Sequence, residues 1–287
     1  MKYGIVSIIG RPNVGKSTLI NSLLNKKVSI ISNKPQTTRN NIEGVYEDKD
    51  TKIIFVDTPG IHKPKYKLGN ILNSKAYISM EDVDLILMVV DVTEDLGKGD
   101  KYLINKLTDI PTILVLNKID LVKKDELLPK IDEYSKLYNF SHIVPISAYK
   151  KDNIEELLKT IKEFITSDEE LFVQDKDENF YISELVREKV LHLTKEEIPH
   201  TVTCIIEEFE EKKNIINIGA SIIVDRENIK KIIIGKNGSM IKEIGTRARI
   251  EIEEYYKKKV FLNLNVKVIK DWRDKEKYLV ELGLKDR

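Results

Sequence analysis

The sequence contains little of several features that mark particular classes of protein. Its 287 residues include one cysteine, Cys204, so no disulfide forms within the chain, as expected for a reducing compartment. Its strand-like neighbours predict a buried, inert thiol. No apolar run approaches the roughly 18 residues of a membrane span, and we expect no signal peptide. With 13 Gly and 8 Pro, the composition excludes collagen-like and low-complexity chains.

Charge is also balanced, since 48 Lys and Arg face 47 Asp and Glu. A nucleic-acid surface must therefore be a local patch. Over residues 1–166, short aliphatic runs alternate with helical patterns, which predicts an α/β domain with a doubly wound, mostly parallel sheet. An acidic stretch predicts a linker over 167–181, with an ordered loop as the alternative. Residues 182–287 predict a smaller α+β domain that ends in a helix over 271–282.

A phosphate-binding motif, G-x-x-x-x-G-K-[ST], starts at Gly10 between a strand and a helix. Its glycines let backbone N–H groups turn inward and form an anion cradle at the helix N-terminus. We expect Lys16 to reach the β- and γ-phosphates and the Ser17 hydroxyl to bind Mg²⁺. The residues predicted to bind nucleotide here are Asn13, Val14, Gly15, Lys16, Ser17 and Thr18.

Two further segments follow aliphatic strands. Asp57, at the end of one strand, is placed to hold Mg²⁺ through water, and the Gly60 amide is placed to contact a γ-phosphate. Asp120, in the segment 117–120, can accept hydrogen bonds from guanine N1–H and its exocyclic amine, whereas adenine N1 would oppose it with an acceptor. This predicts selection of GTP over ATP.

The neighbours of Asp120 complete the predicted base site. We expect Asn117 to tie the base to the phosphate loop and the Lys118 stem to cover the ring. The small residues Ser147 and Ala148 follow another strand and would let a backbone N–H approach guanine O6.

These motifs, together with Thr37-Thr38-Arg39, occur in the order and spacing of the translation-factor class of GTPases, which the chain resembles. The resemblance implies a first switch at about 32–40 and a second at about 58–72. It implies that Thr38, or in its place Thr37, joins Ser17 and Asp57 at Mg²⁺. The predicted catalytic residues are Lys16, Thr38 and Gly60.

One position departs from the better-known members of that class. Ile61 stands where they place a glutamine that orients water, and an aliphatic side chain cannot polarise water. Slow turnover is therefore expected unless positioning comes from elsewhere. Similar GTPases with an asparagine at the place of Asn13 bind K⁺, so K⁺ dependence is one alternative. An Asn13 side chain that orders the loop is the other. His62 is a candidate base, with a solvent-exposed histidine as the alternative.

A second constellation lies near the C-terminus, where Gly235-Lys236-Asn237-Gly238 forms a G-x-x-G turn between two aliphatic helices. Such a turn lies flush against a sugar–phosphate backbone, as in KH modules, which clamp about four nucleotides of single-stranded RNA. From Lys230 to Lys270 the chain has 11 Lys and Arg against 4 Glu. The predicted RNA-binding residues are Ile234, Gly235, Lys236, Asn237, Gly238, Ser239 and Lys242.

The entire chain, from the phosphate loop to Trp272-Arg273, resembles the Era family of bacterial ribosome-assembly GTPases. The resemblance implies a type II KH domain, GTP or GDP with Mg²⁺ as ligands, and binding near the 3′ end of 16S rRNA during maturation of the 30S precursor. It also implies a cytoplasmic location with loose, peripheral membrane association. The sequence shows no heptad or large apolar stripe, so a monomer is expected.

The central hypothesis is a switch, in which GTP-ordered loops permit a domain arrangement that opens the KH groove to RNA. Three alternatives stay open at this point: a P-loop ATPase or small-molecule kinase, an RNA-binding module that keeps nucleotide as a structural ligand, and a related GTPase acting on tRNA or the large subunit.

Overall fold

A computed structural model of the chain describes residues 1–32, 42–60, 66–171, 178–194, 201–281 and 284. Within it the chain divides into two compact units. The first comprises residues 1–65 and 69–173, and the second comprises residues 66–68 and 174–287.

The first unit is built on a six-stranded sheet in the order β2-β3-β1-β4-β5-β6. All neighbouring strands are parallel except β2, which pairs antiparallel with β3. The strands are β1 (Lys2–Ile9), β2 (Ile42–Glu47), β3 (Thr51–Asp57), β4 (Leu85–Asp91), β5 (Thr112–Asn117) and β6 (His142–Ile146). The helices of this part of the chain are α1 (Lys16–Leu23), α2 (Lys67–Ile78), α3 (Lys98–Ile104), α4 (Lys124–Ser135) and α5 (Ile154–Lys162).

Burial on both faces of the sheet explains why its strands are continuously aliphatic. All seven residues of β4 are buried, and they alternate between two cores. Leu85, Leu87 and Val89 enter the core shared with α1 and α5, whereas Ile86 and Met88 enter the opposite core. The predicted doubly wound α/β domain is confirmed, and it brings the C-terminal ends of the parallel strands to one edge.

The second unit contains a three-stranded sheet in the order β7-β8-β9, with β7–β8 antiparallel and β8–β9 parallel. This unit has its own core, in which Ile182 and Leu185 of the helix Glu178–Leu193 pack with Ile244 and Ile252 of the helix Ser239–Tyr256. The elements are α6 (Glu178–Leu193), β7 (Thr203–Glu211), β8 (Ile215–Val224), α7 (Glu227–Ile234), α8 (Ser239–Tyr256), β9 (Lys259–Val268) and α9 (Glu276–Glu281). The predicted smaller α+β domain is confirmed.

The predicted C-terminal helix over 271–282 is wrong in its continuity. A short 3₁₀ turn spans Trp272–Asp274, Lys275 is extended, and α9 begins only at Glu276. The cause is the indole of Trp272, which is fully buried and donates from Nε1 to the carbonyl of Thr201 at 2.9 Å. Burial of the largest side chain outweighs helix propensity here.

The region between the two domains lies partly outside the described residues. Ser167, where the linker is predicted to begin, pairs with Tyr3 through 2.9 Å backbone hydrogen bonding, and α6 already begins at Glu178. Residues 172–177 of the predicted linker are not described. Cys204 lies buried in β7, and burial raises the pKa of its thiol. None of the described helices combines the length and apolarity that a bilayer crossing needs.

Candidate functional site

The phosphate loop connects β1 to α1, as predicted. Gly10 and Gly15 have φ angles of 154° and 100°, and Asn13 between them has a left-handed φ of 67°. Close approaches also require glycine: a Cβ at Gly10 would lie 2.4 Å from the carbonyl oxygen of Val89, and one at Gly15 would lie 2.2 Å from Asn117 Nδ2. At positions 10 and 15 the loop therefore follows a backbone path that only glycine allows.

Lys16 is buried inside this loop, with 6% of its surface exposed. Its Nζ donates to the carbonyls of Gly10 at 3.1 Å and Arg11 at 3.0 Å. Burial lowers the pKa of Lys16 to about 8, although the negative charge of Asp57 opposes the shift. A buried ammonium in contact mainly with neutral carbonyls is suited to an anionic ligand, because a phosphate would supply the missing charge.

The predicted magnesium ligands meet at the edge of the sheet. Asp57 is fully buried at the end of β3, and its Oδ2 accepts from Ser17 Oγ at 2.8 Å and from Ser29 Oγ at 2.9 Å. No group of three or more His, Cys, Asp or Glu capable of holding a metal occurs among the described residues. One hydroxyl and one carboxylate fit a Mg²⁺ that takes its other oxygens from phosphates and water.

The second-switch glycine packs directly against the phosphate loop. A Cβ at Gly60 would lie 2.8 Å from the backbone nitrogen of Pro12, so the two backbones touch. The Thr58 hydroxyl donates to the carbonyl of Ile8 at 2.7 Å, which fixes this segment beside β1. The predicted Thr37 and Thr38, and likewise Ile61 and His62, lie outside the described residues.

Asn117, at the end of β5, contacts both the phosphate loop and the loop after β6. Its Nδ2 donates to the carbonyl of Val14 at 2.8 Å, and its Oδ1 accepts from the N–H of Ala148 at 3.0 Å. Asn117 therefore fixes the phosphate loop and the loop after β6 relative to β5. Because the Ala148 N–H is engaged here, the expected contact from this loop to guanine O6 stays a prediction.

Asp120 and Lys118 extend from the segment after β5. Asp120 is exposed, and its Oδ1 accepts from Ser147 Oγ at 2.5 Å. Ser147 thus orients the carboxylate that we expect to read guanine. Lys118 has a left-handed φ of 71°, and its ammonium pairs with Asp91 Oδ2. Burial acts to raise the pKa of Asp91, but hydrogen bonds from Lys118 and Thr93 hold it below its usual range.

The second candidate site is the turn between α7 and α8. Gly235, Asn237 and Gly238 all have positive φ, at 73°, 53° and 75°. A Cβ at Gly235 would lie 2.7 Å from Met240 Cβ, whereas one at Gly238 would meet no atom within 4 Å. Gly235 therefore packs inward, while Gly238 leaves open surface on which a polymer backbone can lie.

The unpaired positive charge around this turn is confined to fewer residues than the count of Lys and Arg over 230–270 indicates. Four of the cations in 230–270 pair with carboxylates: Arg247 with Glu243, Arg249 with Glu253, Lys258 with Glu211, and Lys267 with Glu207. Lys236 lies within the turn, and Lys242 lies in the first turn of α8. Both are exposed, and neither makes an ion pair with any residue that the structure describes. Ile234 is only half-buried and packs on the core, as does Ile241, while Asn237 and Ser239 are exposed.

Sequence reasoning missed three residues that support the nucleotide site. Ser29 binds Asp57, and Asp91 binds Lys118. Asn21 holds the backbone of residues 28 and 29 through hydrogen bonds of 2.8 to 3.0 Å. Of these three, only Asp91 could have been found from the sequence pattern, because it ends an aliphatic strand. That strand, β4, lies between β1 and β5 in the sheet.

Comparisons with known proteins match both units of the chain. Residues 5–118 match a family described as 50S ribosome-binding GTPase, and residues 197–273 match the KH domain family. A solved structure of an Aquifex aeolicus Era variant bound to GDP and AlF₄⁻ is 43% identical to this chain, with a TM-score of 0.95 and 99% of each chain covered. A structure of Era with MgGDPNP and nucleotides 1506–1542 of 16S ribosomal RNA has the same identity, TM-score and coverage.

Proposed function

The chain belongs to the Era family of GTPases, and from that premise we propose that it binds 16S rRNA near its 3′ end and acts in assembly of the 30S subunit. It hydrolyses GTP to GDP and phosphate, with Mg²⁺ as the metal. The observation that carries the proposal is the coexistence of a phosphate loop, joined by Asn117 to the segment that contains Asp120, and an open G-x-x-G turn in a chain that is similar to an RNA-bound Era over 99% of its length.

The residues of the nucleotide site have three roles, which are binding the phosphates, holding Mg²⁺ and selecting the base. Lys16 brings a buried positive charge to the phosphates, and the loop amides add donors at the N-terminus of α1. Ser17 and Asp57 would hold Mg²⁺, which supplies positive charge at the phosphates. Asp120, oriented by Ser147, selects guanine.

Turnover is expected to be slow, because Ile61 offers no group that orients water. Asn13 has the left-handed φ of 67° and an exposed side chain, which keeps it available to a monovalent cation. The K⁺ alternative would be supported if GTP hydrolysis were faster in K⁺ than in Na⁺ and if Asn13→Ala removed this difference between the two salts. Equal rates in the two salts would leave Asn13 as a residue that orders the loop.

RNA binding is assigned to the turn at 235–238. Its open side at Gly238 and its two exposed cations, Lys236 and Lys242, provide a surface and a charge for a sugar–phosphate backbone. A single-stranded 3′ terminus fits this surface, because its unpaired bases leave their Watson–Crick edges open to the protein while the backbone lies on the turn.

The test is site-specific crosslinking of the full-length chain to total cellular RNA from a photoreactive group at Asn237. Enrichment of the 16S 3′ end supports the proposal, and Lys257, an exposed lysine outside the turn, gives the matched control position. Predominant crosslinks to tRNA or to 23S rRNA would contradict it. The latter outcome would agree with the 50S description of the family matched by residues 5–118.

Location and oligomeric state follow as proposals from the family alone. A cytoplasmic protein with peripheral membrane contact would appear in the soluble fraction and in a salt-extractable membrane fraction. A monomer would give a mass near the 33.2 kDa of the chain in light scattering.

A further inference from the structure

Arg11 stands within the phosphate loop, yet its side chain is bound by residues that follow β4. Its Nη2 donates to Glu94 Oε2 at 2.5 Å, and its Nε lies 3.0 Å from Asp100 Oδ1. The two acids differ sharply in environment, since the side chain of Glu94 is 55% exposed and that of Asp100 is 1% exposed. The buried ion pair with Asp100 is therefore the contact that solvent screens least.

Asp100 is held in place independently of Arg11. The carboxylate is fully buried, and its Oδ2 accepts from the N–H of Gly97 at 2.9 Å. Among the residues that the structure describes, Arg11 is the cation that pairs with Asp100. A buried carboxylate that loses its cation is strongly disfavoured, so Asp100 draws the Arg11 side chain to one position.

The start of α3 is shaped to receive this side chain. A Cβ at Gly99 would lie 2.7 Å from Arg11 Cδ and 3.3 Å from Cγ, and a Cβ at Gly97 would lie 3.2 Å from Nη1. Any larger residue at position 99 would displace the middle of the arginine stem, where the side chain cannot move aside easily. Charge and shape thus specify the same position for Arg11.

The backbone of the same segment contacts the phosphate-binding elements. The Arg11 carbonyl accepts from Lys16 Nζ at 3.0 Å, and the next residue, Pro12, packs on Gly60. We propose that Asp100, acting through Arg11, is a positioning residue that holds the phosphate loop in its binding conformation. Holding the loop lowers the ordering cost of binding for any nucleotide that uses it, so GDP and GTP benefit equally.

The inference rests on guanine-nucleotide binding and not on the RNA site. The test uses the full-length protein and measures GDP and GTP-analogue affinities for wild type, Asp100→Asn, Arg11→Gln and the double variant. We expect each single variant to weaken both nucleotides about tenfold and the double variant to be no weaker than either, because both remove one interaction. Glu94→Gln, the exposed partner, is the matched control and should change affinity less than about twofold.

A thermal-unfolding readout separates positioning from a purely structural role. Positioning predicts that the rise in Tm caused by saturating GDP shrinks in Asp100→Asn. A structural role predicts a lower Tm without nucleotide and an unchanged rise with GDP, together with wild-type affinities, and this result would overturn the inference.

Gly99→Ala provides a second route if Asp100→Asn folds poorly, since it displaces Arg11 without removing a charge. We expect it to weaken GDP and GTP binding in parallel, and by more than Gly97→Ala, whose Cβ meets only the movable end of the guanidinium. Wild-type affinity in both glycine variants would contradict the inference. Failure of the wild type itself to bind guanine nucleotides would instead refute the proposed function.

Discussion

The two sites use the same elements, glycines with positive φ beside a lysine, in opposite environments. In the nucleotide site, Lys16, Asp57 and Asn117 are 6%, 0% and 2% exposed, and they come from α1, β3 and β5. In the turn at 235–238, Lys236 is exposed, and the four residues form one contiguous turn between α7 and α8. A compact ligand can be enclosed by distant parts of a fold, whereas a polymer must approach an open, locally built surface.

The largest expected effect is on nucleotide affinity, and it comes from a substitution at Asp120, the residue expected to read the base. Asp120→Asn removes one of two acceptors for guanine, so affinity for GTP should fall by roughly a hundredfold or more. Xanthosine triphosphate, which carries a carbonyl in place of the exocyclic amine, should recover binding because the new amide can donate to it. Competition assays with GTP, ATP and the xanthine nucleotide measure this. Unchanged guanine preference would contradict the role of Asp120.

The matched pair Gly15→Ala and Gly238→Ala sharpens the contrast between a packed and an open turn. Both residues have positive φ, but only at Gly15 would the Cβ clash, 2.2 Å from Asn117 Nδ2. We expect Gly15→Ala to lower the free energy of unfolding by about 3 kcal/mol, from strain and clash together, and Gly238→Ala by about 1 kcal/mol. Denaturant unfolding checks both, and equal losses would remove the distinction.

The same contrast explains what the sequence could predict. The turn at 235–238 is contiguous, so its motif and its exposure were both predictable from local pattern. Asp57, Asn117 and Asp120 were predictable because each follows a recognisable aliphatic strand. Contacts between segments distant in the sequence, such as Ser29 with Asp57, depend on tertiary packing that no local pattern encodes.

The prediction of a continuous helix over 271–282 was wrong for a related reason. Its residues favour helix, but the position of Trp272 is set by a hydrogen bond to Thr201, 71 residues away. The charge count over 230–270 leaves out similar long-range partners, because Lys258 and Lys267 pair with carboxylates 47 and 60 residues distant. In both cases the residue types predicted the local structure or charge, but the sequence did not show which distant residues they would contact.

The buried lysine gives the enclosed site a pH dependence. Burial lowers the pKa of Lys16 to about 8, and a bound phosphate favours the charged form, so binding takes up a proton above that pH. GDP affinity should be constant below about pH 8 and fall by up to about tenfold per unit above it. Titration calorimetry from about pH 7 to about pH 9 measures the slope.

Lys16→Arg is the control for this profile, because a guanidinium stays charged throughout the range. Any slope left in the variant reports ionisation of the base, which is common to both proteins. A wild-type profile as flat as that of the variant would contradict the assignment to Lys16.

The smallest expected effect concerns the open turn. Lys236→Glu should weaken RNA binding several-fold and reduce the slope of log affinity against log salt by about 1, because one phosphate contact is lost. GDP affinity should not change. Lys257→Glu, at an exposed lysine outside the turn, should leave the salt slope near that of wild type. Equal slopes in all three proteins would place the RNA elsewhere.

The central claim, that one chain couples a guanine-nucleotide site to an RNA site, is tested most directly by one titration. A fluorescent oligonucleotide matching the 16S 3′ end is titrated with full-length protein saturated with Mg²⁺ and either GDP or a non-hydrolysable GTP analogue. The account predicts tighter binding with the analogue than with GDP. Equal affinities in the two nucleotide states would contradict it.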